Sequence, residues 1–272
     1  MRKDFWKYHG AGNDFIVINN YNPTLAHSPE LARKLCDRHF GIGSDGLIIL
    51  EASKEADFKM VFYNPDGSQS FCGNGSRCAV KYAFDEGIIT QNKTTFISTD
   101  GPHDAEIVNE WVNLQMNHAV FLPLTNTDFS LSVSHSIFIN TGSPHLILFL
   151  DDSISITDLD VKQHGARIRY SDEFKIGGVN VNFINIRGEN EIDIRTYERG
   201  VEDETLSCGT GVTASAIAYH SLFNKKEGKH SVQVNSVGGK LEAKFDFLGG
   251  DYSDILLCGP AEPVFMGIIN IK

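Results

Sequence analysis

Cysteine is scarce in this sequence: five in 272 residues, an odd number at irregular spacings. A disulfide framework needs dense, paired cysteines, so reduced thiols are expected. The cysteines make no CxxC pair and show no zinc-like spacing, and no metal site is expected. Walker A and HExxH patterns are missing, which removes the usual marks of nucleotide hydrolysis and zinc proteolysis. No lysine stands in a context that singles it out for pyridoxal phosphate, although a Schiff-base lysine leaves little trace in a sequence. Long hydrophobic runs are missing too: Leu146 to Leu150 is among the longest and far too short to span a bilayer. The start, MRKDFWKYHG, has no apolar stretch of the signal-peptide kind, and a cytoplasmic protein is expected. Positive charge is in deficit. A net charge of −11 argues against a nucleic-acid partner, which wants a basic face, but leaves a small zwitterion open.

With 41% hydrophobic and 22% charged residues the chain has an ordinary globular composition, and its main feature is a duplication. FCGNGSRCAVKYAFDEG from Phe71 and SCGTGVTASAIAYHSLFN from Ser207 each set a cysteine before Gly-x-Gly and an Ala-rich stretch, and Cys72 and Cys208 lie half the 272-residue chain apart. Gly12-Asn13-Asp14-Phe15 pairs with Gly142-Ser143-Pro144-His145, each followed by an apolar strand. Tyr63-Asn64-Pro65-Asp66-Gly67 precedes Cys72 much as Tyr197-Glu198-Arg199-Gly200 precedes Cys208, and Ser98-Thr99-Asp100-Gly101 matches Asn235-Ser236-Val237-Gly238 as a turn beyond each helix. So long a period means two whole folding units, each near the usual domain size of roughly 100–150 residues. The expected division is residues 1–118, carrying Cys72, and 119–261, carrying Cys208, with the change of halves near Ala119 to Thr127.

Strand-like runs dominate, among them Phe15 to Ile18, Leu47 to Leu50, Phe58 to Tyr63, Leu146 to Leu150 and Val179 to Ile186, many rich in β-branched and aromatic residues. One helix is punctuated by Ser28 as N-cap, Pro29 at the first position and Gly41 after the last turn, with Cys36 inside it and His39 in its last turn. Two more follow the cysteines, at about Gly75 to Glu86 and Gly211 to Asn224; being apolar on more than one face, they are expected to be buried. Buried helices among many strands, without regular βαβ alternation, predict an α+β fold in which each half wraps a mixed or antiparallel sheet around a central helix.

A helix N-terminus presents unpaired N–H groups and a partial positive charge, and Gly-x-Gly after each cysteine leaves room for a ligand at that backbone. A substrate carboxylate suits such a place. The same field favours thiolate over thiol, lowering a cysteine pKa from about 8.5 towards neutrality. A thiolate and a thiol on opposite faces of one carbon remove and return a proton, which inverts that centre. A single CGxG is more often a plain helix start with a small buried thiol. Two at a half-chain period shift the balance to chemistry. Cys36, Cys78 and Cys258 read as packing thiols, and His9 and His39 as strand-end and helix-end residues. His145 reads as a turn residue with a minority prospect of a direct role, and Glu198-Arg199 is as readily a surface charge pair as a pair of ligands.

HGAGNDF from His9, GIGSDG from Gly41, YNPDGS from Tyr63, CGNGSRC from Cys72, GSPH from Gly142, VNVNF from Val179, YERG from Tyr197 and CGTG from Cys208 occur in one order. In that order the sequence resembles the diaminopimelate epimerase family, cofactor-independent enzymes that interconvert LL- and meso-diaminopimelate for lysine and peptidoglycan synthesis. The resemblance implies two pseudo-symmetric domains, no cofactor, Cys72 and Cys208 as the two bases, and His145 and Glu198 as supports of proton transfer. It implies substrate contacts at Asn13, Asn64, Gly73, Asn74, Asn180, Glu198, Arg199, Gly209 and Thr210, with Arg199 facing the distal carboxylate and Glu198 an ammonium group. It also implies a homodimer, and a final strand, 262–272, that returns to the first domain. Two positions depart from the familiar pattern. Gly46 stands where some members carry Gln, removing a polar side chain near the reacting centre, and Ser143 stands where they carry Asn.

The nearest rival is a cofactor-independent racemase of the same fold acting on proline, hydroxyproline or a basic amino acid; HGAGNDF and YERG favour diaminopimelate. A rival of another class is a redox-switch dithiol protein, whose natural signature, CxxC, is absent.

Overall fold

A computed structural model describes residues 1–125 and 129–271, which form two compact units: Met1–Gln115 with Gly259–Lys272, and Met116–Cys258. Residues 126–128, the first two of which belong to the segment expected to divide the halves, and Lys272 at the end of the expected last strand lie outside the described residues.

The first unit opens with β1 (Arg2–Gly10) and β2 (Asn13–Asn19), an antiparallel pair, and α1 (Pro29–Cys36) then carries the chain to β3 (Gly46–Glu51), parallel to β2 with Phe15 opposite Gly46. Strand β4 (Phe58–Tyr63) returns antiparallel to β3, and α2 (Gly73–Asp85) crosses to β5 (Lys93–Ser98), parallel to β4. Hairpins continue it through β6 (Gly101–Val108) and β7 (Trp111–Gln115), and the chain's last strand, β17 (Glu262–Asn270), pairs antiparallel with β1.

The second unit repeats this order. After β8 (Val120–Leu122), β9 (Val133–Asn140) and β10 (Pro144–Leu150) form the antiparallel pair, and α3 (Val161–Arg169) leads to β11 (Asn180–Gly188), parallel to β10 with His145 opposite Asn180. Then come β12 (Glu191–Glu198), antiparallel to β11, a short β13 (Asp203–Thr205), and α4 (Gly209–Phe223). Strand β14 (Gly228–Ser236) lies parallel to β12, followed by the hairpin strands β15 (Gly239–Leu248) and β16 (Asp251–Pro260). The mixed sheet around a buried helix, expected from composition, is present in both units.

The strands beside each crossover are covered on both faces, which is why Leu47-Ile48-Ile49-Leu50 reads as one apolar run and not as an alternation. In the first unit Ile16, Ile18, Leu47, Ile49, Val61 and Tyr63 pack with Ala32 and Leu35 of α1. The opposite face turns to α2, buried along most of its length. In the second unit Leu146, Leu148, Val181, Phe183 and Tyr197 form a core with Val161 and Ile168 of α3. There Gly165 lets the helix down onto β12, for a Cβ would stand 2.3 Å from the Tyr197 Cβ.

One helix end differs from expectation. Ser28 caps α1 and Pro29 opens it, but the helix stops at Cys36, so His39 lies outside it. The Asp37 carboxylate accepts from the N–H groups of His39 and Phe40, turning the chain before Gly41 is reached. Gly41 closes that turn by proximity: a Cβ would sit 2.2 Å from the Lys34 carbonyl oxygen, while Ile42 N–H and Gly43 N–H donate to the Leu35 carbonyl.

Candidate active site

In the first unit the chain enters α2 from an extended Cys72, which is the N-cap; its sulfur accepts from the Gly75 N–H at 3.4 Å. Gly73 and Asn74 are the first two helical residues, at the end where the helix's own ladder supplies no carbonyl to the backbone N–H groups. The Asn74 side chain is buried and committed: its amide donates to Asn13 Oδ1 at 3.1 Å and its oxygen accepts from Arg77 at 3.0 Å. Asn13 donates in turn to Asp45 at 2.8 Å, and Arg38 spans Asp45 and Asp14 at 2.7 and 2.8 Å. Burial works to raise the Asp14 carboxyl, but Arg38 and Lys7 outweigh it and hold it below the usual carboxylate range. Two expected contact residues, Asn13 and Asn74, are thus joined. Asn64 lies in the turn after β4, with its amide on the hydroxyls of Ser68 and of Ser70, two residues before Cys72, at 3.0 and 3.1 Å.

In the second unit α4 starts from an extended Cys208 with Gly209 and Thr210 as its first residues. His145 is not a turn residue: it lies within β10 and is fully buried, which pushes its pKa down to about 3 and leaves the imidazole neutral. Its Nε2 meets Thr210 Oγ1 at 2.8 Å and Ser143 Oγ at 2.9 Å, and Thr210 Oγ1 lies 3.5 Å from Cys208 Sγ. Ser143, the shortened residue of GSPH, also takes a hydrogen bond from Asn180 at 3.2 Å. Asn180 Oδ1 accepts from the Arg199 N–H at 2.9 Å, tying the YERG turn to this group. The Arg199 guanidinium donates to the Gly177 carbonyl at 2.8 Å, and Glu198 accepts from the Thr205 hydroxyl at 2.9 Å.

Three further residues belong to these groups. Asp45 anchors Asn13, and the conspicuous GIGSDG contained it. Asn182 and Thr196 bond to each other at 3.0 Å beneath His145. VNVNF carries asparagines two apart, and period two puts both on one strand face, so Asn182 was legible beside Asn180. Thr196 gave no signal. One expectation needs correction. The Gly-x-Gly after Cys208 does not open the backbone to a ligand at its second glycine: a Cβ on Gly211 would stand 2.6 Å from Asn182 Oδ1, so that glycine admits neighbouring protein. At Gly46 a Cβ would stand 2.4 Å from the Phe62 ring, which occupies the place a side chain would take.

No group of three or more His, Cys, Asp or Glu side chains among the described residues is placed to hold a metal ion. No helix among them is long and apolar enough to cross a membrane.

The profile of the family described as diaminopimelate epimerase matches residues 5–122 and 137–254. The chain is 47% identical to a diaminopimelate epimerase of Flavobacterium psychrophilum over 96% of this chain and 97% of that one. It is 40% identical to one of Chlorobaculum tepidum, over 96% and 99%, and 37% identical to one of Aquifex aeolicus, over 98% of each. Among solved structures, a PhzF-family phenazine biosynthesis protein of Bacillus anthracis superposes with a TM-score of 0.79 at 14% identity over the whole of both chains. A hydroxyproline epimerase of Agrobacterium vitis gives 0.71 at 15% identity over 98% and 92%. These two likenesses speak to the fold alone.

Proposed function

The chain belongs to the diaminopimelate epimerase family, and from that premise we infer that it is an isomerase interconverting LL- and meso-2,6-diaminopimelate, on the route to lysine and peptidoglycan. The observation that carries this reading is near-full-length identity to diaminopimelate epimerases, joined to a cysteine at the N-cap of a buried helix in each of two copies.

Inversion by proton removal and return needs a base on one face of the carbon and an acid on the other. Cys72 and Cys208 are the proposed pair. One thiolate takes the α-proton, the C–H electron pair moves into the carboxylate as an enediolate, and the other thiol returns a proton to the opposite face. The turnover itself leaves the two sulfurs with exchanged protonation states, which readies them for the reverse reaction. The N–H groups of Gly73, Asn74, Gly209 and Thr210 receive the reacting carboxylate, where helix-end donors meet growing negative charge. Arg199 takes the distal carboxylate and Glu198 an ammonium group, with Asn13, Asn64 and Asn180 completing the polar contacts. His145 and Glu198 support proton transfer; being neutral, His145 does so as a hydrogen-bonding group and not as a cation. The scheme uses no cofactor.

Incubation with LL-diaminopimelate in deuterium oxide, without pyridoxal phosphate and with a chelator, tests the reading. Meso product carrying deuterium at the inverted carbon is expected; turnover of proline or hydroxyproline in preference would move the chain to another racemase class. We further propose a homodimer in a reducing, cytoplasmic setting. Strand β17 exposes Val264, Phe265, Met266 and Ile268, each at least half exposed. A solution mass of one chain would remove the dimer.

A further inference from the structure

Beneath His145 lies a hydrogen-bonded layer of Asn182 and Thr196. The register of β10, β11 and β12 puts Asn182 opposite both Ile147 and Thr196, on the face that carries His145. Asn182 and His145 are fully buried, and Thr196 nearly so. The Asn182 amide nitrogen lies 3.0 Å from His145 Nδ1, 3.3 Å from the Leu146 carbonyl oxygen and 3.4 Å from the Asn180 carbonyl oxygen. Carbonyls only accept, so the NH2 side of the amide must face them, and the same NH2 then faces Nδ1. The other side, Oδ1, receives the Thr196 hydroxyl at 3.0 Å. An N–H aimed at Nδ1 requires a lone pair there, and a neutral imidazole must carry its proton on Nε2. That nitrogen faces Thr210 Oγ1 at 2.8 Å. Ser143 Oγ lies 2.9 Å from the same nitrogen and 3.0 Å from Thr210 Oγ1. A Thr210 oxygen that accepts from Nε2–H and from the Ser143 hydroxyl keeps its own hydrogen for Cys208 Sγ, 3.5 Å away.

We propose that Asn182, held in one orientation by the Leu146 and Asn180 carbonyls and braced by Thr196, is a positioning residue that fixes His145 as the Nε2–H tautomer and so turns the Thr210 hydroxyl to donate to Cys208. The direction of the chain is set where carbonyls can only accept: with Thr196 donating into its oxygen, Asn182 donates to His145, His145 to Thr210, Thr210 to sulfur. A string of neutral donors ending on Cys208 stabilises its thiolate without a buried positive charge, and no proton leaves His145. Reversal of any link would present a lone pair to the sulfur and favour the thiol. The layer is packed tightly enough to hold its direction: a Cβ on Gly211 would stand 2.6 Å from Asn182 Oδ1 and 3.2 Å from His145 Cε1, so only glycine lets α4 settle there.

The consequence for catalysis rests on Cys208 acting as acid and base, but the tautomer can be measured without any turnover. Histidine-selective 15N labelling and long-range 1H–15N correlation at pH 7.5 should show His145 protonated at Nε2 and bare at Nδ1. Thr196→Val, near-isosteric, should broaden or mix the two forms and lower kcat about five- to tenfold with KM unchanged, the size of one buried hydrogen bond lost. Thr196→Ser should restore both readings. Asn182→Asp, with no N–H to give, should move the proton to Nδ1; if that variant fails to fold, the wild-type tautomer and the Thr196 pair decide the matter. A wild-type His145 carrying its proton on Nδ1 overturns the proposal, as does a Thr196→Val protein with the wild-type tautomer and kcat. Wild type with Nε2–H and no epimerase activity would instead sink the functional reading and leave the tautomer assignment standing.

Discussion

Where the strands face the buried helix, the first unit stacks Phe15, Ile48 and Phe62 in the places that His145, Asn182 and Thr196 hold in the second. The pairing register makes the match: Ile48 lies opposite Phe62 as Asn182 lies opposite Thr196. In one copy the rings of Phe15 and Phe62 meet edge to face at 5.9 Å; in the other the same space is bridged by hydrogen bonds of 3.0 Å. The backbone plan is shared, so the difference is chemical. An apolar layer supports its helix by packing alone, whereas the polar layer adds direction, because donors and acceptors are not interchangeable. The second glycines follow suit. A Cβ on Gly75 would meet Cys72 and Ile48 at an ordinary 3.5 Å, where one on Gly211 would collide with Asn182.

The comparison breaks first at the cysteines. If both units supply a proton-handling thiol, Cys72→Ser and Cys208→Ser should each cost about a thousandfold or more in epimerisation, since a hydroxyl is a far weaker acid than a thiol. Retention of a tenth of the activity by either variant would leave only one copy functional. The next effect separates the helices by stability. Gly211→Ala should lose about 3 kcal/mol by overpacking, while Gly75→Ala should stay within about 1 kcal/mol of wild type, since alanine also favours the helix. Equal midpoints in urea would erase the distinction between the two layers.

Acid should find the second unit's layer. The folded pKa of His145, about 3, lies below its unfolded value, so the unfolded chain takes up a proton that the folded chain refuses. Stability is therefore lost as pH falls from about 6.5 towards 3, by roughly 2 kcal/mol between pH 7.5 and pH 5 for this one group. His145→Gln should flatten that share of the slope; an unchanged slope would mean the imidazole is not held neutral. The smallest effect lies in the first unit. Gly46→Gln should clash with Phe62, and Phe62→Thr, which installs the second unit's residue, should offset about 1 kcal/mol of that loss in a double-mutant cycle.

Much of this was legible from local signals. Period-two and all-apolar runs marked the central strands, and the Ser28-Pro29 start and the two Ala-rich stretches marked three of the four long helices. The fourth, α3, hides its apolar face in three buried positions, Val161, Gly165 and Ile168, among charged neighbours. Strands β1, β6 and β14 to β16 carry lysines, histidines or acids that interrupt their apolar residues, which dilutes the hydrophobic signal that a single sequence offers. At the site, motifs named the residues on turns and helix starts, because glycines and cysteines punctuate them. They did not name Thr196, an ordinary strand threonine whose importance comes only from what lies opposite it. Nor could they show that Phe62 fills the room over Gly46, since that depends on two strands meeting in register.

The pairing of β17 with β1, Arg2 opposite Asn270, also has a meaning in time. The second unit is one unbroken stretch of chain, and every strand it needs has been made once Cys258 leaves the ribosome. The first unit begins earlier yet finishes later: β1 finds β2 at once, but its other edge stays open until the final strand has been synthesised. An open edge is a template for stray pairing. The half of the protein that is translated first is thus the half that is closed last, and the interval between is when a nascent chain is most in need of protection.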